Sequence, residues 1–512
     1  MDPLWEGLRE AGQAWLALLS LPYYYLAIAL TWWHASREVA LQRRLFHVRL
    51  YGALSLTLMR TGAGALAGIA LSAASFAVGA RLSPETLLCV WAAMLVLALF
   101  RLRYICLAYA AGALGLLQAA WDAALPAGAS LREGFLLPAW RAIEQIDVPG
   151  LLLLAGLLHI AEGLLVRLQG AKTAVPLFLE GKRGKPIGAY AMSGVWPIPL
   201  LWLVPATAAG ADAGGFALPW APWLSGDAVL WTLAAFPVLI GFSERTRSYW
   251  PQQKARASGY RLMIYGALIA LLAAGSVYWA PLATVASLAA FVLHEALVWI
   301  GRYREAGRNP LYAQDGTGVR ILAVLPGSPA AEMGLAAGET IRKVNGGATR
   351  NKEELYAALQ RQSAFCRMEV VNREGHLKFA QRARYAGEHY QLGLVLAPDD
   401  AAEFVAAPRA ASLWRNLRDA GARRREAAAR ALAELSAEGE QAAGADGSAE
   451  AESRAQEQAA EGAIDSLAGG SVSVSDSQAE SGNAAAADAM AANATPQPPG
   501  LPPRRARRSR NG

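Results

Sequence analysis

Residues 318–360 read GVRILAVLPGSPAAEMGLAAGETIRKVNGGATRNKEELYAALQ, and the architecture on either side follows from them. Val319, Ile321, Ala323 and Leu325 alternate with Arg320, Leu322 and Val324, which predicts a strand that stops at the Pro326-Gly327 turn. A short helical turn, Ser328 to Met333, is predicted next, ending at Gly334. Gly338-Glu339 turns the chain into a second strand, Thr340 to Val344, closed by Asn345-Gly346. An amphipathic helix, Lys352 to Gln360, then carries Leu355, Ala358 and Leu359 on one face.

The order V-x-PGSPA-x-x-x-GL-x-x-G-[DE]-x-I-x-x-V-N-G resembles a PDZ domain of the bacterial type, with Glu339 where Asp is commoner. PDZ domains take an extended peptide as an added strand beside a sheet edge. Residues 303–400 are therefore expected to form a small α+β recognition module. Cys366–Val371 and His376–Ala383 read as a hairpin around Asn372-Arg373-Glu374-Gly375, and Tyr390–Leu396 as a last strand. Leu392-Gly393-Leu394 resembles the Gly-Leu-Gly-Phe-type strand whose backbone N–H groups receive a ligand carboxylate. Because it closes the module here, the resemblance implies a circularly permuted order. The peptide groove would then lie between Leu392, Gly393 and Leu394 and the helix bearing Lys352, Leu355, Tyr356 and Leu359. The same three residues also read as a plain buried strand.

Outside this module the composition is not that of a soluble protein: 54% of the 512 residues are hydrophobic and 17% charged. Residues 1–302 are expected to be an all-α polytopic membrane bundle. Apolar runs of about 17–22 residues match a bilayer core, and nine candidate spans fall at 12–33, 62–80, 86–100, 105–121, 149–166, 194–209, 227–243, 262–279 and 282–301. The third is short, and the sixth carries Pro197, Pro199 and Pro205, so each reads as a crossing or as a re-entrant or kinked segment. Trp32, Trp33, Trp121, Trp196, Trp279 and Trp299 stand at run ends as interfacial anchors do. The first run, Gly12 to Trp33, follows a leader as acidic as it is basic and ends in Trp-Trp, so it reads as a retained span and not a cleaved signal. Arg and Lys concentrate in alternate loops: Arg37, Arg43, Arg44 and Arg49; Arg101 and Arg103; Arg167, Lys172, Lys182, Arg183 and Lys185; Arg245, Arg247, Lys254, Arg256 and Arg261. Positive charge stays in the cytoplasm, which places the PDZ-like module there.

Catalytic signatures are missing from the pattern. A zinc protease helix needs two His one turn apart with a Glu base; in His294-Glu295-Ala296-Leu297-Val298 the second ligand position is Val298, and His159 has only Glu162 nearby. The two His-Glu pairs, on the fifth and ninth spans, are placed where they could meet around a metal, but polar contacts between helices are the expectation and no metal is assigned to them. Ala191-Met192-Ser193-Gly194 lacks the first Gly of a rhomboid-type serine turn. No P-loop or cofactor fingerprint occurs, so neither enzyme chemistry nor a cofactor is expected. Cys89, Cys106 and Cys366 read as buried thiols. Residues 401–436, Ala/Arg/Glu-rich, read as a charged helix, and 437–512 as a disordered low-complexity tail with a basic end.

Three further stretches widen the resemblance: Leu165–Gly170 running into Thr173–Phe178 and Gly181–Gly184, with WPIPL at 196–200; Ala364–Val370 followed by Gln381–Ala383; and Gly387–Leu394. With the span-then-PDZ layout, they resemble the MinJ family of cell-division topological determinants over about residues 10–400. That resemblance implies a membrane adaptor of division-site selection, enriched at septum and poles, bridging a DivIVA-like polar scaffold to a MinD-like ATPase. Its partners would be the membrane and other division proteins, with homo-oligomers left open and no nucleic acid involved. The competing expectation is a PDZ-containing intramembrane protease or secretion factor.

Overall fold

The computed structural model describes residues 3–46, 51–79, 82–124, 137–181, 184–206, 215–224, 230–362, 364–383, 385, 392–399, 425 and 429. The expected charged helix and tail, 401–512, lie almost wholly outside them. So do residues 386–391, just before the Leu392-Gly393-Leu394 segment.

The N-terminal part is helical, as its apolar runs predict. Helices α1 (Pro3–Ser20) and α2 (Pro22–Phe46) meet at a 59° bend where Pro22 interrupts the run; α3 spans Ala53–Val78, α4 Pro84–Phe100, α5 Leu107–Ala124, α6 Leu137–Glu144 and α7 Val148–Leu165. After the first sheet come α8 (Pro251–Gly275) and α9 (Pro281–Ala306). Among the described residues, four helical segments, Ala53–Val78, Val148–Gly170, Pro251–Gly275 and Pro281–Ala306, are long and apolar enough to cross a membrane; the bent pair would make a fifth. Small residues let these helices touch backbone to backbone. A Cβ on Gly156 or Gly163 of α7 would lie 2.7 or 2.6 Å from the carbonyl oxygens of Gly266 and Gly259 on α8.

Two expected helical spans, 194–209 and 227–243, are instead strands. Strands β1 (Val175–Glu180), β2 (Pro186–Pro205) and β3 (Trp231–Thr246) form an antiparallel sheet in that order. The register runs from Tyr190 opposite Thr246 to Pro205 opposite Trp231. The prolines explain the difference. Each removes a helical hydrogen bond and costs a helix about 3 kcal/mol, but a strand edge tolerates a missing N–H. Beyond Ala191, β1 no longer covers β2, and α3 lies against that edge. A Cβ on Gly64 or Gly68 would sit 2.2 Å from the carbonyl oxygen of Pro197 or Pro199. Where prolines no longer alternate, the N–H of Leu201 donates to Ser72 Oγ (2.9 Å) and that of Leu203 to Ser75 Oγ (3.2 Å). The helix thus does the work of a fourth strand at two positions.

The C-terminal part is the sheet-rich module that residues 318–360 foretold. Strands β4 (Val319–Val324), β5 (Thr340–Val344), β6 (Gly347–Ala348), β7 (Phe365–Val371), β8 (Leu377–Ala383) and β9 (Leu394–Leu396) form one sheet, ordered β8-β7-β5-β4-β9 with β6 on β5. Helices α10 (Pro329–Glu332) and α11 (Lys352–Arg361) complete it. Ser328 caps α10 by accepting the Ala331 N–H, and Asn351 caps α11 by accepting that of Glu354. Asn345 and Gly346 both have positive φ (51° and 83°), the demand of a tight hairpin turn. The last strand of the module pairs antiparallel with its first, Val324 opposite Leu394 and Ile321 opposite Leu396, which is the permuted order.

Candidate functional site: the edge of the PDZ module and its seat

β9 ends the strand order, so one of its edges is not taken by another described strand. The turn leading into it is tightly made. Leu392 and Gly393 have φ of 54° and 76°; the Leu392 carbonyl accepts the Ala330 N–H and the Gly393 carbonyl that of Leu325, both at 3.0 Å. A Cβ at Gly393 would stand 2.3 Å from the Ser328 Cβ, so only glycine fits beside the Pro-Gly-Ser turn.

The seven residues expected to line a groove divide into two sets. Leu355, Leu359, Leu392 and Leu394 are buried together in the core of the module, with Val319, Ile321 and Ile341. Lys352 is exposed and Tyr356 half-buried at the surface of α11, the Lys352 ammonium 5.9 Å from the Tyr356 ring. Gly393 is half-buried at the turn. The leucines are therefore core residues of the module, whereas Lys352 and Tyr356 lie at its surface. Glu339, in place of Asp, is buried and holds its turn by accepting the Ala336 N–H and pairing with Lys378 Nζ at 3.1 Å.

The module is seated on the first sheet and on the chain entering α8, which sequence reading did not foresee. The Gly188 N–H of β2 donates to the Tyr312 carbonyl (2.9 Å), the Leu311 N–H to that of Arg247 (2.8 Å), and Tyr190 Oη to that of Leu322. The Trp250 indole packs beneath the positive-φ turn at Gly338, where a Cβ would be 2.1 Å from the ring. The Arg373 guanidinium lies 4.3 Å from the same ring and donates from Nε to the Ala337 carbonyl. Leu322, Ala323 and Val395 of the module share one hydrophobic core with Tyr190, Met192 and Tyr312. Between module and seat is a cavity of about 260 Å³ bounded by Lys172, Tyr190, Trp250, Tyr312 and Arg373 among others. Burial pushes the Tyr190 and Tyr312 hydroxyls up, so both are protonated at neutral pH.

The residues tested for catalysis have structural partners. Ser193 Oγ donates to Glu38, beside the Arg60–Glu38 ion pair. His159 and Glu162 meet, Nε2 to Oε2 at 3.9 Å, but within α7 and not between helices as expected. The expected His294–Glu295 contact does not form. Glu295 turns to Arg103 and to Tyr109 Oη, while the His294 ring lies 5.2 Å from that of His159.

A PDZ-domain family model matches residues 320–373. The chain is similar to the cell division topological determinant MinJ of Bacillus subtilis (strain 168), 28% identical over 408 residues that span 77% of this chain and 96% of that protein. It is also similar to the probable cell division topological determinants MinJ of Lacticaseibacillus paracasei and of Lacticaseibacillus casei (strain BD-II). Each is 26% identical over 270 residues, or 51% of this chain and 69% of the relative. No solved structure matches the chain significantly.

Proposed function

We propose that this MinJ homologue is a multi-pass membrane adaptor of division-site selection, holding a cytoplasmic PDZ module that captures an extended peptide along β9 and α11. The carrying observation is the terminal place of β9 in the sheet, beside the glycine turn at Leu392-Gly393. An added strand on that edge would complete backbone hydrogen bonds, and alternate side chains would meet the α11 surface near Lys352 and Tyr356. The cationic loops around Arg101, Arg167 and Arg245 support a cytoplasmic face on the side from which the module emerges. The MinJ name of the relatives supports division proteins as partners, with a DivIVA-like scaffold and a MinD-like ATPase as the specific candidates. A module fixed against the bilayer meets other membrane-bound partners at raised local concentration, so weak single contacts suffice.

The test is co-purification of the full chain with the DivIVA-like and MinD-like proteins of its host, comparing wild type with Lys352→Glu/Tyr356→Ala. The double variant is expected to lose at least one partner about tenfold and to disperse from septa and poles. Undiminished capture and unchanged localisation would overturn the groove as the docking site.

A further inference from the structure

One polar cluster in the helical part is not needed by an adaptor. Cys106, at the entry to α5, places Sγ 3.4 Å from His159 Nε2 of α7 and 3.9 Å from His294 Nε2 of α9. One ligand atom from each of the three lies within 4.8 Å of the others. Glu162, one turn beyond His159, brings Oε2 to 3.9 Å from the same Nε2. We infer that Cys106, His159 and His294 form a zinc site that ties α5, α7 and α9 together, with Glu162 beside it.

The spacing suits the ion. Zinc–sulfur bonds of about 2.3 Å and zinc–nitrogen bonds of about 2.0–2.1 Å at a tetrahedral angle separate the two donors by roughly 3.6 Å. The two observed sulfur–nitrogen distances bracket that value. The orientation of His159 suits it too: Nδ1 donates to the Ala155 carbonyl at 2.7 Å, which fixes the tautomer and turns the Nε2 lone pair toward the cluster. A Cys-His-acid catalytic relay would need the carboxylate on Nδ1, behind the imidazole; here Glu162 approaches Nε2, the same nitrogen that faces the thiol. His294 turns Nε2 toward Cys106 Sγ, while its buried Nδ1 has no hydrogen-bond partner among the described residues. The surroundings are aromatic, with the Tyr265 ring 5.1 Å from His159 and the Tyr109 ring 4.5 Å from His294. One thiolate and two imidazoles make a set that favours zinc over magnesium or calcium, and three protein ligands leave the fourth tetrahedral position to another donor. Because α9 runs on into the seated PDZ module, the ion would hold the helix from which that module hangs.

The experiment is metal analysis of the intact chain purified in detergent without chelators, followed by cobalt exchange. Wild type is expected to carry about one zinc per chain and, with cobalt, to show a near-ultraviolet thiolate charge-transfer band. Cys106→Ser should abolish the band, His159→Gln should lower zinc at least fivefold, and His376→Asn, outside the cluster, should change neither. Wild type without stoichiometric zinc, or cobalt-loaded wild type without the thiolate band, would overturn the site and leave a thiol–imidazole hydrogen bond in its place. Copper in place of zinc, or full zinc retained in both cluster variants, would equally overturn it. None of these readouts depends on division partners, so failure here is distinguishable from failure of the adaptor role.

Discussion

Arg60 is fully buried in α3, with Nη2 2.9 Å from Glu38 Oε2 and 2.9 Å from the Ser193 carbonyl. Its charge is acceptable in such a place because it is paired and hydrogen-bonded. Arg60→Ala is expected to leave the Glu38 carboxylate buried without its guanidinium partner, costing about 3–5 kcal/mol. Thermal unfolding in detergent measures this, and Arg60→Ala/Glu38→Gln should recover part of the loss. Asp315 answers to pH. Partial burial would push its carboxyl up, but hydrogen bonds from the Thr317 side chain and N–H, and the Arg320 guanidinium, hold it below the usual carboxylate range. A lowered folded value means the contribution is present above about pH 4, the unfolded value, and disappears as pH falls through the folded one. The melting difference between wild type and Asp315→Asn should therefore be visible at pH 6 and shrink progressively as the pH falls below about 4. Neither residue stood out in sequence, since an Arg in an apolar run and an Asp before a Gly are legible only as types. Their partners come from 22 and 5 positions away.

At the scale of elements, the β2–β3 hairpin shows how an apolar run can be misread. Its length and hydrophobicity match a membrane helix. The proline alternation at 197 and 199 was visible, but what makes a strand viable there is α3, which supplies Gly64 and Gly68 for close approach and Ser72 and Ser75 as acceptors. Ser72→Ala should leave the buried Leu201 N–H without its acceptor and lower stability by about 1–3 kcal/mol, read as a lower melting temperature. Gly163→Leu should be worse. Its side chain would meet the α8 backbone at Gly259, and cross-linking between cysteines introduced on α7 and α8 would fall. The PDZ elements were far more legible, because each turn needs a particular residue: Asn345-Gly346 for positive φ, Ser328 for a cap, Gly393 for its fit beside Ser328.

For the whole molecule, the consequential feature is that the PDZ module is seated on the first sheet and on Trp250 and is not free on a tether. Replacing Trp250 with Ala removes the ring under Gly338 and the face on which Arg373 stacks. Hydrogen exchange at 311–324 is expected to rise severalfold in that variant, while β5 and β7, in the interior of the module, keep their protection. Equal exchange in both regions would show the seat to be energetically irrelevant.

The amino-acid order alone determined the local events: apolar runs of membrane length, the turn chemistry that spells a PDZ module, and the resemblance to division determinants. These depend on residues near one another in the chain, where propensity and periodicity act directly. Only the tertiary structure decided that two apolar runs pair as strands, that Tyr190, Trp250 and Tyr312 form the seat, and that Cys106 meets His159 and His294 from 53 and 188 positions away. Those outcomes are set by which surfaces complete each other's packing and hydrogen bonds, a property of pairs of segments that no single segment carries.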